Sequence, residues 1–228
     1  MTDGVIFDMD GVMIDSERQS TLGWKLAARD NNIDMPEWLI DSFKGRPAEY
    51  SKLLFDDYFK GKADYWQLRQ QRIEHVHEIR QREGIPVKKG LFELLNYLRN
   101  KNIPCAVATS TKKESAEKTL HKIGAWDYLK AVVYGDEVEK GKPEPDIFCH
   151  AAKQIGVEPE NCIVIEDSIT GIMAGHAAGM YVVHVPDTII IDDDTRKLTN
   201  VICDDLEKVI DVIAVSYTHL TLPTTSRV

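Results

Sequence analysis

The sequence lacks long apolar stretches and lacks an excess of positive charge. No run approaches the roughly 18 apolar residues that a membrane-spanning helix needs. The 28 lysine and arginine residues are outnumbered by 37 aspartate and glutamate residues, which gives a formal net charge of −9. Because nucleic acids are bound through basic faces, we do not expect a nucleic acid as partner. Because no apolar run is long enough to span a bilayer, we do not expect a membrane as partner either. A small anionic substrate stays compatible with this charge, since it needs only a few local cations.

Cysteine is scarce and forms no paired motif. The N-terminal residues are neither basic nor followed by an apolar run, so no secretory signal is predicted. Thiols without such a signal are expected to be reduced, which indicates a cytoplasmic protein. The four scattered cysteines are Cys105, Cys149, Cys162 and Cys203.

Short apolar runs bounded by turn residues predict the strands of an α/β domain. The runs are continuous rather than alternating, as in strands that are buried on both faces of a parallel sheet. From residue 88 onward helical patterns separate them, which predicts a doubly wound, Rossmann-like parallel sheet. The predicted strands are Val5–Phe7, Pro104–Ala108, Ala131–Tyr134, Cys162–Ile165 and Tyr181–Val185, and the helices between them include 91–98, Pro143–Ile155 and Ser168–Ala178.

Residues 16–86 do not follow this alternation and contain no convincing strand. Because one strand precedes this block and the next follows it, the block is predicted to be a helical domain inserted into a core of residues 1–15 and 87–214. Its predicted helices are Glu17–Asp30, Glu37–Phe43, Ala48–Phe59 and Lys62–Glu83.

The last residues, 215–228, read VSYTHLTLPTTSRV and have no amphipathic period. This threonine-rich composition is typical of a translated adapter sequence. We predict a non-native tail here and leave it out of the fold.

Two carboxylates, Asp8 and Asp10, follow the first buried strand in FDMDGVMIDS. The carboxyl ends of parallel strands are where α/β sheets place their sites. Carboxylates this close are costly unless a cation neutralises them, and Mg²⁺ typically binds one or two carboxylates, waters and a substrate phosphate. A solvated turn is the alternative for the isolated motif.

Three further motifs lie at predicted strand ends. Thr109 and Ser110 offer hydroxyls and N–H groups to a phosphate oxygen, or simply cap a helix. Lys142, in EKGKPEPDIF, lies at a helix entrance and could offset carboxylate and phosphate charge, or be solvated. Glu166 and Asp167, in IVIEDSITGI, are candidate metal ligands or helix-dipole caps.

Taken together, the order of acid pair, hydroxyl, lysine and acid pair resembles the four motifs of the haloacid dehalogenase superfamily of phosphotransferases. The forms DxDGVxxDS, KPxPDIF and EDSxxGI resemble the branch that contains β-phosphoglucomutase and sugar-phosphate phosphatases. The resemblance extends from residue 1 to about residue 213. It implies that the helical insert is a cap domain, and a monomer is expected because the cap already closes the site.

The resemblance also implies the roles of the acidic residues. Asp8 is the nucleophile that becomes an aspartyl-phosphate. Asp10 is the general acid toward the leaving oxygen and then the general base. The cofactor is Mg²⁺, held by Asp8, the main-chain carbonyl of Asp10 and Asp167, with Glu166 close by or acting through water.

The remaining core residues are expected to bind the phosphoryl group or to neutralise charge near it. The resemblance implies that the Thr109 side chain and the Ser110 N–H bind it, while Lys142 neutralises charge beside Asp8. In the cap, Gly45 and Arg46 are the candidates for substrate contact. Arginine can bind an anion through two parallel hydrogen bonds, although a surface arginine before a proline is equally compatible.

We predict a Mg²⁺-dependent phosphatase for small phosphorylated metabolites, sugar phosphates among them. A phosphosugar mutase is the alternative, but two of its cap contacts are missing: Ser20 replaces a histidine, and Ala48 lies where an arginine is expected. A non-catalytic binding protein on the same scaffold is the alternative from another class. It is disfavoured because Asp8, Asp10 and Lys142 are all present.

Overall fold

The computed structural model describes residues 2–44, 46 and 48–218. Its strands are short, and most of their residues are buried. They are β1 Gly4–Phe7, β2 Cys105–Thr109, β3 Ala131–Tyr134, β4 Cys162–Glu166, β5 Tyr181–His184 and β6 Val201–Ile202.

The strands form one parallel sheet in the order β3-β2-β1-β4-β5-β6. Val5 on β1 pairs with Cys105 on one side and Ile163 on the other, so β1 lies in the middle of the sheet. The strand order reverses between β1 and β4, and doubly wound folds bind ligands at such a switch point. The predicted doubly wound parallel sheet is confirmed.

Residues from Asp15 to Pro86 form one compact unit, and the residues before and after them form the other. In the helical unit, α1 and α4 pack together and aromatic side chains fill the core. Trp24, Phe43, Phe55 and Tyr65 contact one another there with ring centroids 5.3 to 6.0 Å apart. The helices of this unit are α1 Ser16–Asp30, α2 Glu37–Asp41, α3 Ala48–Phe59 and α4 Tyr65–Glu83.

The core unit adds helices that cover the sheet. Phe148 and Ile147 on α7 are fully buried against strand residues such as Ile6 and Val164, and this apolar burial is the main stabilisation of the sheet. The helices of this unit are α5 Leu91–Asn100, α6 Lys113–Ile123, α7 Asp146–Ile155, α8 Ile169–Ala177, α9 Asp193–Arg196 and α10 Leu206–Thr218.

Several predicted boundaries move by a few residues for local reasons. Helix α4 begins at Tyr65 rather than Lys62 because the Asp64 side chain accepts the N–H of Gln67 and caps the helix. Helix α7 begins at Asp146, after Pro145, and not at Pro143. Ser168 caps α8, as predicted, by accepting the N–H of Gly171.

The boundary between the two units falls one residue earlier than predicted, and the non-native tail stays a prediction. Asp15 donates its N–H to the carbonyl of Pro86 at 3.0 Å, which ties it to the helical unit rather than to the core. Helix α10 continues to Thr218, past the predicted start of the tail, and residues 219–228 lie outside the described residues. Across the described part of the chain, every helix is too short or too polar to cross a bilayer.

Candidate active site

The carboxyl ends of the central strands bring the core motifs together. Asp8 follows β1, and its N–H donates to the carbonyl of Ile165 at 3.0 Å, which extends the pairing with β4 by one residue. Thr109 is the last residue of β2, and Glu166 is the last residue of β4. Asp8, Thr109 and Glu166 are all buried. The motifs that are far apart in sequence therefore meet at the switch point of the sheet.

Lys142 joins these strand ends through its ammonium group. Nζ donates to Oδ1 of Asp8 at 2.5 Å, to Oε1 of Glu166 at 2.6 Å and to the carbonyl of Ala108 at 3.2 Å. The side chain is only 6% exposed and lies over the ring of Phe148. An ammonium group has three protons to donate, and here each has an acceptor. The prediction that Lys142 lies beside Asp8 is matched by this geometry.

Burial dominates the electrostatics of the site. It raises the pKa of Asp8 to about 7, although the positive charge of Lys142 acts in the opposite direction. Burial alone would lower the pKa of Lys142, but the facing carboxylates of Asp8 and Glu166 raise it above its ordinary value. Lys142 is therefore a permanent positive charge, while Asp8 is an acid whose ionisation depends on what neutralises it.

Glu166 is held by the protein on both carboxylate oxygens. Oε1 accepts from Lys142, and Oε2 accepts the N–H of Asp167 and both the N–H and the hydroxyl of Ser168, each at 3.0 Å. A Cβ on Gly171 would overlap this carboxylate, so only glycine fits at this position in the first turn of α8. This geometry makes Glu166 an anchor for Lys142, and its role as a metal ligand stays a prediction.

Asp167 lies against the turn that follows Asp10. Gly11 has a φ of +88°, a conformation that favours glycine, and a Cβ there would overlap the Asp167 carboxylate. Burial, followed by the negative charges of Glu166 and Asp8, raises the pKa of Asp167 well above its ordinary value. The structure thus brings the two predicted acid pairs to the same edge of the sheet.

A second lysine–carboxylate pair lies at this edge, and the sequence reasoning missed it. Lys88 Nζ donates to Oδ1 of Asp187 at 2.7 Å, and Oδ2 of Asp187 is buried with no hydrogen-bond partner among the described residues. The N–H of Lys88 donates to the carbonyl of Met13, in the turn after Asp10. Its residues are 99 positions apart, so no local spacing could have indicated this pair.

The hydroxyl motif is also connected to the first acid pair. Thr109 Oγ1 accepts the N–H of Thr111 at 3.1 Å, and the Thr111 hydroxyl donates to Oδ2 of Asp10 at 2.7 Å. Ser110, between them, is exposed. Thr111 is a third residue that the sequence did not indicate. The only signal for it was a third hydroxyl in the run Thr109-Ser110-Thr111.

The candidates for substrate contact belong to the helical unit. Arg46 is exposed, and its guanidinium lies over the ring of Tyr50, 4.6 Å from the ring centroid. Gly45 lies outside the described residues. Ser20, at the position where a mutase is expected to carry histidine, accepts a hydrogen bond from Arg72 at 2.5 Å.

Comparison with known proteins agrees with this geometry. Residues 2–179 match the haloacid dehalogenase-like hydrolases, a family of hydrolases. The chain belongs to this family.

Three known proteins illustrate the similarity. Hexitol phosphatase A of Escherichia coli is 32% identical over 183 residues, which cover 80% of this chain and 82% of the relative. β-Phosphoglucomutase of Bacillus subtilis is 32% identical over 190 residues, with coverages of 79% and 82%. The crystal structure of β-phosphoglucomutase from Clostridium difficile aligns with a TM-score of 0.76 at 24% identity, over 96% of this chain and 98% of that one, which supports the fold.

The residues of this haloacid dehalogenase-like site fit a divalent cation. No group of three or more His, Cys, Asp or Glu in the described part of the chain forms a metal cluster. The ligand set implied by the resemblance has only two such side chains, Asp8 and Asp167, with a main-chain carbonyl completing it. Mg²⁺ commonly takes so few protein ligands.

The charge balance of the site points the same way. The buried carboxylates outnumber the lysines that face them by two, and burial of an uncompensated charge is costly. A divalent cation would supply the missing positive charge. The carboxylates are Asp8, Glu166, Asp167 and Asp187, and the lysines are Lys88 and Lys142.

Proposed function

We propose that this chain is a Mg²⁺-dependent phosphatase that hydrolyses small phosphate monoesters, sugar phosphates among them, through an aspartyl-phosphate on Asp8. The observation that carries the proposal is the contact of Lys142 with both Asp8 and Glu166 at the switch point of the sheet. This arrangement holds a carboxylate and a fixed positive charge side by side. A nucleophile for phosphorus and a counter-charge for the phosphoryl oxygens are the two things that such a reaction needs.

In the first step, a carboxylate oxygen of Asp8 attacks phosphorus and the bond to the leaving oxygen breaks. Asp10 gives its proton to that oxygen, so that an alcohol leaves and a mixed anhydride remains on Asp8. The side chains of Thr109 and Lys142 stabilise the negative charge on the equatorial phosphoryl oxygens, with the N–H of Ser110.

In the second step, Asp10 accepts a proton from water, and the water oxygen attacks phosphorus. The anhydride bond breaks, inorganic phosphate leaves and Asp8 returns to its carboxylate form. Asp8, Asp167 and the carbonyl of Asp10 would hold the Mg²⁺, which supplies positive charge to the phosphoryl oxygens when bound. The protein contributes positioning and electrostatics, which dominate phosphoryl transfer.

The substrate class rests on the relatives. The name of the E. coli relative indicates a hexitol phosphate as its substrate, and the B. subtilis relative is named for a phosphosugar reaction. Both names point to a small phosphorylated carbohydrate. We extend that class to this chain. We also propose a cytoplasmic location and a monomeric state, as expected from the sequence.

A mutase is the second candidate, because the relative named β-phosphoglucomutase is as similar as the phosphatase. A mutase has to hold a bisphosphate at both ends. At the position where a mutase is expected to carry a histidine, this chain has Ser20, whose short hydroxyl side chain accepts a hydrogen bond from Arg72. This favours the phosphatase.

The test is ³¹P NMR of the purified protein with Mg²⁺ and a panel of sugar phosphates. The panel includes β-glucose 1-phosphate primed with a trace of β-glucose 1,6-bisphosphate. We expect a growing inorganic phosphate signal, and its rate ranks the substrates. Glucose 6-phosphate without free phosphate would instead establish the mutase.

Asp8→Asn is the control for the chemistry. This substitution keeps the shape of the side chain but removes the nucleophilic carboxylate, so we expect turnover to vanish while the circular dichroism spectrum is unchanged. Retained turnover would contradict the nucleophile assignment. Equal turnover of the wild type in excess chelator would contradict the Mg²⁺ requirement.

A further inference from the structure

Thr111 connects the hydroxyl motif with the acid pair of the first motif. It lies two residues after the end of β2, half-buried in the loop that leads to α6. Its hydroxyl donates to Oδ2 of Asp10 at 2.7 Å, and its N–H donates to Oγ1 of Thr109 at 3.1 Å. One residue therefore contacts both the proposed acid and the proposed phosphoryl-binding hydroxyl.

The ordinary role of a threonine in this place would be to cap the helix that follows. Helix α6 has Lys112 as its N-cap, and within the described ranges of the chain no side-chain hydrogen bond caps it. The Thr111 hydroxyl instead bonds a residue 101 positions away. Capping thus does not account for it, and the contact to Asp10 is its described use.

The contact has a consequence for the orientation of the Asp10 side chain. Among the described residues, only Thr111 makes a hydrogen bond to this side chain, and it does so at Oδ2. A single hydroxyl therefore orients this half-buried carboxyl group and leaves Oδ1 as the oxygen available to face a substrate.

We propose that Thr111 is a positioning residue that aims Asp10 Oδ1 at the leaving oxygen, so that this enzyme can release alcohols that need a proton to leave. The inference rests on the proposed function. It assigns Thr111 to one class of substrates, the alkyl and sugar phosphates. Aryl phosphates, whose phenolates leave without a proton, would depend on it much less in the first step.

The experiment compares Thr111→Val and Thr111→Ser with the wild type on two esters, a sugar phosphate and p-nitrophenyl phosphate. Valine keeps the shape and the N–H to Thr109 but removes the hydroxyl, whereas serine keeps the hydroxyl. Since kcat/KM reports the first irreversible step, it isolates phosphorylation of Asp8. Misaligned catalytic groups can cost about a hundredfold.

For Thr111→Val we expect kcat/KM on the sugar phosphate to fall about 10- to 100-fold, with a change below about threefold on p-nitrophenyl phosphate. Thr111→Ser should restore most of the loss. Hydrolysis of the aspartyl-phosphate also uses Asp10, so the valine variant should release a burst of nitrophenolate before a slow steady state. A merely structural role would lower both esters equally and give no burst, which would overturn the proposal.

A double-mutant cycle with Asp10→Ala separates the remaining outcomes. If Thr111 acts through Asp10, adding Thr111→Val to Asp10→Ala should change kcat/KM less than twofold, whereas additive losses would contradict the proposal. Thermal unfolding of each variant shows whether it is folded, and Thr111→Ala, which also lacks the hydroxyl, keeps the test valid if valine is not tolerated. A wild type inactive on every ester would refute the proposed function instead.

Discussion

Apolar packing stabilises both compact units of this protein, but the buried carboxylates described above lie in the core unit. In the core unit, chemistry is concentrated at one edge of the sheet, where Lys142 holds Asp8 and Glu166 within 2.6 Å of its ammonium group. In the helical unit, aromatic side chains form the core, and Phe55 is fully buried there with Trp24 and Tyr65. Strand pairing thus brings the charged residues of the core unit together, whereas apolar packing arranges the aromatic residues of the helical unit.

The difference teaches where each kind of function is encoded. Buried charges have to be compensated, so each charged group of the core site depends on its partners, and substitutions there are poorly tolerated. The helical unit also exposes large apolar side chains, such as Trp38 at 60% and Leu53 at 67%. Single exposed apolar residues are common on protein surfaces. We therefore expect substitutions in the core site to act on chemistry and those in the helical unit to act on stability or selectivity.

The largest effect is expected from Lys142→Met, which removes the positive charge between two buried carboxylates. Breaking a buried ion pair costs about 3–5 kcal/mol, and loss of one charge-stabilising donor lowers kcat about 10²- to 10³-fold. Phosphate release and urea unfolding measure the two effects. Lys118→Met is the matched control, because that side chain is 75% exposed and surface pairs contribute little. Wild-type stability in Lys142→Met would contradict the compensation described above.

Phe55→Ala should lower the free energy of unfolding of the helical unit by about 3–5 kcal/mol, since a fully buried ring leaves a cavity. Tryptophan fluorescence in urea reports this unit selectively, because three of the four tryptophans lie there. Leu53→Ala, at an exposed position of α3, should change the unfolding free energy by less than about 0.5 kcal/mol. Equal losses from both substitutions would remove the contrast between buried and exposed apolar residues.

The stability of the Mg²⁺-free protein should decrease as pH rises toward 7. Burial raises the pKa of Asp8 from 3.8 to about 7, so between these values the folded state binds more protons than the unfolded state. The unfolding free energy then falls with pH by up to about 1.4 kcal/mol per pH unit for this group. In chelator, Asp8→Asn should show a shallower decline than the wild type, and parallel curves would contradict the raised pKa. Added Mg²⁺ should flatten the wild-type curve.

The smallest effect is expected from Arg46→Ala in the helical unit. If Arg46 contacts a substrate anion, kcat/KM for sugar phosphates should fall up to about tenfold, with little change for p-nitrophenyl phosphate. The stability should stay within about 0.5 kcal/mol of the wild type because Arg46 is exposed. Lys52→Ala is the matched control on α3. An equal loss on both esters would argue against a role in selectivity.

The sequence predicted the core better than the side-chain partners within it. Continuous apolar runs indicated five of the strands, but β6 has only two residues and left no readable pattern. The positions of Asp8, Thr109 and Glu166 at strand ends followed from the motifs, because parallel strands bring their ends to one edge, whereas Lys142 lies in the segment between β3 and α7 and not at the end of a strand. Which oxygen of Glu166 binds which donor depends on rotamers and on Ser168, and spacing does not report that.

Residues that act through distant partners were the ones missed. Thr111 was not singled out as a site residue, and Lys88 and Asp187 lay in none of the predicted motifs. Their contacts join segments about a hundred positions apart, so they depend on the folded topology. In the helical unit, the helices were predicted to within a few residues, but neither the Asp64 cap of α4 nor the direction of Arg46 toward the Tyr50 ring was predicted.

The enclosure of Lys142 also bears on how the protein could be handled as a reagent. Amine-directed coupling needs an accessible, deprotonated amine, and this ammonium group is 6% exposed, has acceptors for all its protons and has a raised pKa. Surface lysines such as Lys118 and Lys197, at 75% and 72% exposure, would react first. The protein should therefore keep its site lysine unmodified when it is immobilised on a resin through amines.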